Sequence, residues 1–259
     1  MKALLVHERE SFGPEAVSLP GGEAVAITFR CPDKAGPNED AAVVVPLGDG
    51  AVLAVADGVG GSRSAHLASA AVTRALAALD DGGRSDVIDA VELANRQILE
   101  SSQGAATTVA IAQIEKNTVR PIHVGDSTVI LVGQRGRLHM QTVPHSPVGY
   151  ALEAGMIDEG EAMHHADRHI VSNVIGAEDM RIEIGGSLTM ARRDTLILAT
   201  DGVLDNLHLD ELIDFVRVGP IAKAAQRVAD VVSRRMREPQ SGVPSKPDDT
   251  TMILYRRNS

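Results

Sequence analysis

The sequence predicts an α+β fold in which antiparallel β-sheets are covered by helices. Short apolar runs rich in β-branched residues recur at regular spacing and are separated by Gly, Pro and Asn turns, which is typical of antiparallel strands. Pairs of segments with helical periodicity are inserted between these runs. Hydrophobic residues make up 44% of the 259 residues but aromatic residues only 2%, so the core is built from Val, Ile, Leu and Ala.

A β-hairpin is the most informative element of the chain. Two apolar runs, 41–45 and 51–56, face each other across a Gly-Asp-Gly turn. Glu39 and Asp40 precede the first run, and Asp57 follows the second. Because a hairpin brings the outer ends of its strands together, we expect these three acids to lie close to one another.

The remaining elements follow from the spacing of apolar residues, which repeats every second residue in strands and every 3.6 residues in helices. Residues 144–179 have no regular period, and such a long irregular segment is typical of a functional flap, a variable surface insertion being the alternative. One short helix is expected in it, near 158–164. The predicted strands are 23–30, 107–114, 119–124, 128–132, 137–142, 195–199 and 250–255, and the predicted helices are 65–79, a segment beginning after Ser85, 210–216 and 221–236.

Composition limits the classes of function. The net charge of −10 argues against a nucleic-acid partner, since affinity for the phosphate backbone comes from Lys and Arg. The single Cys31 excludes an intramolecular disulfide. No window approaches the ~20 apolar residues of a membrane span, and the N-terminal apolar run is far shorter than a signal-peptide core. We therefore expect one cytoplasmic domain over 1–259, a monomer with no membrane or nucleic-acid partner.

Four aspartates occur at equivalent places in the predicted sheets. Asp57 and Asp201 directly follow apolar strands and precede a glycine, Asp248 directly precedes a strand, and Asp126 lies in a strand-to-strand turn. Each of them alone could be structural, because Asp-Gly is a common turn dipeptide. Several carboxylates converging without Cys describe an oxygen-rich site suited to Mg²⁺ or Mn²⁺. The pattern therefore indicates a metal site, in which two ions could activate water for attack on phosphorus.

The order of these motifs resembles the type 2C metal-dependent serine/threonine protein phosphatases, in their bacterial single-domain form. The resemblance covers roughly residues 25–256, and its motifs are weak singly but specific together. They are Asn-Glu-Asp at 38–40, Ala-Asp-Gly-Val-Gly-Gly at 56–61, Ala-Ser at 68–69, Gly-Ala-Ala-Thr-Thr at 104–108, Val-Gly-Asp-Ser at 124–127, His-Ser at 145–146, Ala-Thr-Asp-Gly at 199–202 and Asp-Asp-Thr-Thr at 248–251.

The resemblance implies a central antiparallel β-sandwich flanked by helix pairs, in four layers, and two bound Mn²⁺ or Mg²⁺ ions with a third possible. Asp57 would bridge the two ions, and the carbonyl of Gly58 would bind the second. Asp201 and Asp248 would hold the first, and Asp126 with Asp201 resembles the ligands of a third ion in bacterial members. Asp57, Asp201 and Asp248 would thus act in catalysis through metal-bound water.

Other family positions differ in how well they match. Glu39 and Asp40 would orient metal-bound waters by hydrogen bonds. The family usually has a phosphate-binding Arg where this chain has Ala35. Lys34 and Arg63 are the candidates to replace it, although lysine lacks the bidentate geometry of arginine.

The position of the leaving-group acid in eukaryotic members is occupied here by Val59, as in bacterial members that have an apolar residue there. Metal-bound water would then protonate the leaving group. His145 and the histidines of the flap could instead protonate the leaving group. For each of them a structural role is the alternative.

The predicted function is metal-dependent hydrolysis of phosphoserine and phosphothreonine in proteins, opposing a serine/threonine kinase. Two alternatives stay open. The missing arginine would suit a phosphoprotein-binding or regulatory module with little turnover, and the acidic composition leaves room for a hydrolase of small phosphate esters.

Overall fold

The computed structural model describes residues 2–59, 64–79, 86–101 and 104–258. Over these ranges the chain forms 14 strands and seven helices. The strands are β1 (Leu4–His7), β2 (Ser11–Leu19), β3 (Gly22–Phe29), β4 (Asp40–Leu47), β5 (Gly50–Val59), β6 (Ala106–Thr107), β7 (Val109–Glu115), β8 (Thr118–Val124), β9 (Thr128–Val132), β10 (Leu138–Gln141), β11 (Glu183–Ile184), β12 (Leu188–Thr189), β13 (Thr195–Ala199) and β14 (Thr250–Arg257). The helices are α1 (Ala65–Ala77), α2 (Asp86–Glu100), α3 (Pro147–Glu153), α4 (Glu159–Met163), α5 (Asp201–Leu204), α6 (Leu209–Val216) and α7 (Ile221–Arg237).

Two antiparallel sheets pack face to face. The first has the strand order β1-β4-β5-β7-β8-β11, with β6 paired to β5 and β12 paired to β8, and the second has the order β10-β9-β13-β14-β3-β2. A single apolar cluster joins their inner faces, with Leu53 and Ala112 from the first sheet against Leu131 and Ile253 from the second. Alternating residues of each strand therefore meet between the sheets, as in other sandwiches.

Helices cover the outer faces of both sheets. Val72 of α1 and Val91 of α2 join the outer residues of the first sheet in one cluster. Leu212 of α6 and Val228 of α7 join those of the second sheet, such as Ile197, in another. The predicted class, antiparallel sheets covered by helices, is confirmed.

The predicted hairpin is confirmed as β4 and β5. Their register runs from Asp40 opposite Asp57 to Leu47 opposite Gly50. Gly48 has a φ of 47° in the turn, a conformation that glycine adopts without steric cost. The hairpin thus brings the acidic ends of its two strands together, as the sequence predicted.

Some elements were not predicted. Strand β2 lies at the edge of the second sheet and contains Gly13 and Pro14, which normally argue against a strand but are tolerated at an edge. Helix α3 begins at Pro147, where Ser146 Oγ accepts the Gly149 N–H at 2.9 Å, within the segment expected to hold one short helix. The helix predicted at 158–164 is α4. Ser85, the expected cap of α2, lies outside the described residues.

Candidate metal centre

Strand pairing explains why four distant aspartates meet at one end of the sandwich. Asp57 lies opposite Asp40 in the hairpin. Strands β13 and β14 are antiparallel neighbours, so Asp201, just after β13, and Asp248, just before β14, lie at the same sheet end. Strand β9 pairs with β13 on its other side, and Asp126 just precedes β9 at that end. The chain therefore gathers carboxylates from both sheets.

The carboxylate of Asp57 lies at the centre of this group. Its removal from water raises its pKa well above the usual value, and the negative charges of Asp201, Asp40, Asp248 and Asp126 raise it further, in that order. Each of these charges disfavours ionisation of Asp57 because like charges repel strongly where water is scarce. Such a group of acids is stabilised by bound cations.

Two further acids show the same effect. Burial, followed by the charge of Asp201, raises the pKa of Asp126 to about 7. The same two causes raise the pKa of Asp248 to about 6, against the lowering effect of Lys246.

Unsatisfied oxygen atoms also point to a cation. Asp40 Oδ1 and Asp126 Oδ1 are buried without a hydrogen-bond partner. Native structures rarely leave such atoms unpaired, and unpaired examples often mark an absent ion. The donors are all carboxylate oxygens, which Mg²⁺ and Mn²⁺ prefer. The residues present therefore fit the metal ions that the sequence predicted.

Asp40 is fixed by a neighbouring strand end. Its side chain is 2% exposed, and Oδ2 accepts a hydrogen bond from Thr200 Oγ1 at 2.8 Å. Thr200 Oγ1 in turn accepts the Thr251 N–H at 3.0 Å. The hairpin of the first sheet is thereby tied to β13 and β14 of the second, which orients the remaining oxygen of Asp40.

The predicted glycine at the end of β5 is required by packing. A methyl group on Gly58 would lie 2.5 Å from the backbone oxygen of Ala65 and 2.9 Å from that of Glu39. Gly58 N–H donates to the Glu39 carbonyl at 3.1 Å, and Ser69 Oγ donates to the same oxygen at 2.5 Å. Glu39, Gly58 and the start of α1 are therefore held against one another.

Lys34, a candidate for binding phosphate, is engaged by two carboxylates. Its Nζ lies 2.5 Å from Glu39 Oε2 and 2.5 Å from Asp249 Oδ2. Burial opposes the charge, but the hydrogen bonds to Asp249 and Glu39 raise the pKa of Lys34 to about 12. Asp249 also accepts the backbone N–H groups of Cys31 at 2.8 Å and Glu39 at 2.7 Å. Lys34 thus neutralises the buried carboxylate of Asp249 and ties its own loop to β14. Its binding of the substrate phosphate stays a prediction.

The other candidate for phosphate binding, Arg63, lies outside the described residues, as do Gly60 and Gly61 of the glycine-rich motif.

The structure adds two side chains that sequence reasoning missed. Asp205, at the end of α5, faces the same group as Asp201, because residues four apart share one face of a helix. Burial and the charge of Asp201 raise the pKa of Asp205 above its usual value. Lys246 contacts both acids with its ammonium group. The spacing from Asp201 could have suggested Asp205, but nothing local marked Lys246.

A second group of potential metal ligands lies under the flap. One ligand atom from each of His123, His145 and Glu183 lies within 4.8 Å of the others. However, His145 Nδ1 accepts hydrogen bonds from Gly125 N–H at 3.0 Å and Asn173 Nδ2 at 2.8 Å. The neutral ring then carries its proton on Nε2, which lies 3.0 Å from Glu183 Oε2.

This protonation leaves neither nitrogen of His145 free to bind a metal. His123 Nε2 likewise donates to the Val143 carbonyl at 2.9 Å. We therefore interpret the group as a hydrogen-bonded network that holds the segment before α3. The network directs His145 toward Glu183 instead of toward the aspartates. Of the two roles considered for His145, leaving-group acid and structural residue, this favours the structural one.

A cavity of about 190 Å³ leads from the aspartates to the flap. Asp126, Asp201 and Asp205 line one side, while apolar side chains of α3 and α4, such as Val148 and Met163, line the other. The segment 144–179 therefore forms a wall beside the acidic group. Its role as a functional flap stays a prediction.

An antiparallel sandwich with converging carboxylates at one end suits a metal-dependent hydrolase of phosphoesters. Residues 31–238 match the model of the family described as protein phosphatase 2C. The chain belongs to this family, which confirms the predicted resemblance and the predicted enzyme class, a protein serine/threonine phosphatase. The predicted dependence on Mn²⁺ or Mg²⁺ fits the family.

Individual relatives agree with this assignment. The chain is 28% identical over 179 residues to the protein phosphatase PhpP of Streptococcus pneumoniae, covering 64% of this chain and 72% of that protein. It is 26% identical over 217 residues to the serine/threonine protein phosphatase PstP of Mycobacterium tuberculosis, covering 78% of this chain and 40% of that longer protein. A crystal structure of the latter phosphatase superposes with a TM-score of 0.76 at 25% identity, over 91% of this chain and 98% of the other.

Proposed function

We propose that this chain hydrolyses phosphoserine and phosphothreonine in proteins at a centre built on Asp57, Asp201 and Asp248. In this proposal Asp57, Asp201, Asp248 and the Gly58 carbonyl would hold two divalent ions. The observation that carries the proposal is the convergence of Asp40, Asp126, Asp201 and Asp248 on Asp57, which strand pairing brings about. A cluster of this kind favours divalent cations strongly.

When bound, Mn²⁺ or Mg²⁺ at such a centre supplies an acidified water and neutralises phosphoryl oxygens for in-line hydrolysis. The P–O ester bond breaks, the serine or threonine oxygen takes up a proton, and inorganic phosphate forms.

The residues of the chain position these parts. Asp40 is held by Thr200 and keeps one oxygen available for a hydrogen bond to water at the centre. Glu39 shares its carboxylate with Lys34 at the rim. We propose that both residues orient water by hydrogen bonds, as outer groups around metal sites do.

The proposed substrates are phosphorylated proteins, and the relatives named above as serine/threonine phosphatases support this substrate class. We propose further that the enzyme opposes a serine/threonine kinase, acts as a monomer and works in the cytoplasm. The absence of an intramolecular disulfide supports that compartment. None of the helices in the described ranges has the length and apolar character that a bilayer span requires.

The test is a phosphatase assay with a phosphothreonine peptide under saturating Mn²⁺, with chelator and with Asp57→Asn. We expect turnover that chelator abolishes and that Asp57→Asn lowers by at least about 100-fold, because the amide has no negative charge and one oxygen fewer to bind the ions. Asp179→Asn, which changes an exposed aspartate, is the matched control and retains turnover.

Full activity of the Asp57→Asn variant or of the metal-stripped protein would refute the proposal. Two other outcomes would favour the alternatives. Tight peptide binding without turnover indicates a regulatory module, and preferential turnover of phosphorylated metabolites indicates a hydrolase of small esters.

A further inference from the structure

Lys246 occupies an unusual position for a lysine. Its Nζ lies 2.8 Å from Asp201 Oδ2, 2.6 Å from Asp205 Oδ2 and 3.3 Å from Asp248 Oδ2. An ammonium group has three N–H donors and no acceptor, so three surrounding carboxylates match its hydrogen-bonding capacity.

The backbone of Lys246 is clamped in place. Asn206 is fully buried, and its Oδ1 accepts the Lys246 N–H at 3.0 Å while its Nδ2 donates to the Lys246 carbonyl at 2.8 Å. The same Nδ2 donates to the Gly202 carbonyl at 2.9 Å. Because both polar groups of the lysine backbone are fixed to α5, the side chain enters the acidic group from a defined point. It is not a mobile surface lysine.

Three carboxylates surround the ammonium group of Lys246, and those of Asp201 and Asp205 lie within 2.8 Å of it. Lys246 therefore already supplies part of the positive charge that this side of the acidic group requires.

Lys246 contacts Asp201, one of the two acids predicted for a third ion, and Asp205, which the structure places beside it. A divalent ion such as Mg²⁺ at Asp201 and Asp205 would bind at about 2.0–2.1 Å to the same carboxylates that the ammonium contacts. The ammonium lies closest to Asp205, which is not a proposed ligand of the first two ions, and farthest from Asp248, which is one. Its repulsion therefore acts most directly on a third divalent ion at Asp205.

We propose that Lys246 is a built-in cation that takes the place of a third metal ion at Asp201 and Asp205, so that the chain binds two Mn²⁺ ions. The proposal rests on the proposed function only in taking Asp57, Asp201 and Asp248 as the ligands of those two ions. The ammonium of Lys246 would then supply the positive charge beside Asp201 and Asp205 at any metal concentration.

The experiment counts bound Mn²⁺, by calorimetric titration and by elemental analysis after equilibrium dialysis at saturating Mn²⁺. Lys246→Met removes the charge and keeps the length of the side chain. Lys223→Met changes the net charge equally at an exposed position on α7 and is the matched control. We expect two ions in the unaltered protein and in Lys223→Met, and a third ion in Lys246→Met.

A third ion in the unaltered protein would overturn the proposal, and this arm requires no variant to fold. Two ions in a folded Lys246→Met would overturn it as well. If the unaltered protein binds no Mn²⁺, the proposed function itself fails, and this result is distinct from the other two.

A second measurement follows thermal unfolding in chelator, independent of activity. Lys246→Met should unfold at a lower temperature than Lys223→Met without metal, because three acids lose their cation, and the difference should shrink in saturating Mn²⁺. Equal unfolding temperatures of the two variants in chelator would contradict a charge-compensating role for Lys246.

Discussion

Asp126→Asn should make the metal-free protein more stable, although it removes a candidate site residue. The pKa of Asp126 is raised from 3.8 to about 7 by burial and by Asp201. A carboxyl group whose pKa is higher in the folded state binds protons more tightly there, so folding stability falls as pH rises between these two values. Above about pH 7 Asp126 is ionised in the folded protein, and its full destabilising effect on the fold is present.

The size of the effect follows from the same difference in pKa. It corresponds to about 4 kcal/mol at about 1.4 kcal/mol per pKa unit, which is an upper limit. The cost of leaving the new amide without a partner, about 1 kcal/mol or more, reduces the gain. We therefore expect Asp126→Asn to raise the free energy of unfolding by about 1–3 kcal/mol at about pH 8, and by less at about pH 5.

The assay is urea denaturation in chelator across about pH 5 to about pH 8, with Asp179→Asn as the exposed control. The gain from Asp126→Asn should increase with pH and then level off, whereas the control should show no such trend. A variant that is less stable than the unaltered protein at the upper pH, with a folded spectrum and an unchanged denaturant slope, would refute this account of the acidic group.

Two further predictions concern the frame around the site. Gly58→Ala should lower the free energy of unfolding by about 1–3 kcal/mol, because the new methyl group would clash with the backbone oxygens of Ala65 and Glu39. An unchanged midpoint of urea denaturation would contradict this packing. Thr200→Val keeps the volume but removes the hydroxyl that bonds Asp40, and should cost about 1–3 kcal/mol in the same assay. A cost close to zero would mean that the sheets are not coupled through this hydroxyl.

Much of the site could be predicted because its main residues lie next to strong local signals. The hairpin followed from two β-branched runs with a glycine turn, and its register then fixed Asp40 opposite Asp57. Asp201 and Asp248 were recognisable because each adjoins an apolar strand. Their meeting depends only on the pairing of two neighbouring strands.

Other features depend on contacts between distant segments, which local patterns do not record. Asp249 accepts the backbone N–H of Cys31, 218 positions away, and Lys246 reaches Asp205 through a loop that Asn206 clamps. Sequence reasoning likewise missed β2, since Gly13 within a run favours a loop and only the position at a sheet edge makes the strand acceptable.

The most direct test of the central claim is a crystal structure grown with Mn²⁺, using anomalous scattering at the manganese absorption edge to locate the ions. We expect two strong peaks at bonding distance from carboxylate oxygens of Asp57, with Asp201 and Asp248 beside one of them and Gly58 O beside the other. No peak within bonding distance of Asp57, or strong peaks only at His123 and His145, would contradict it.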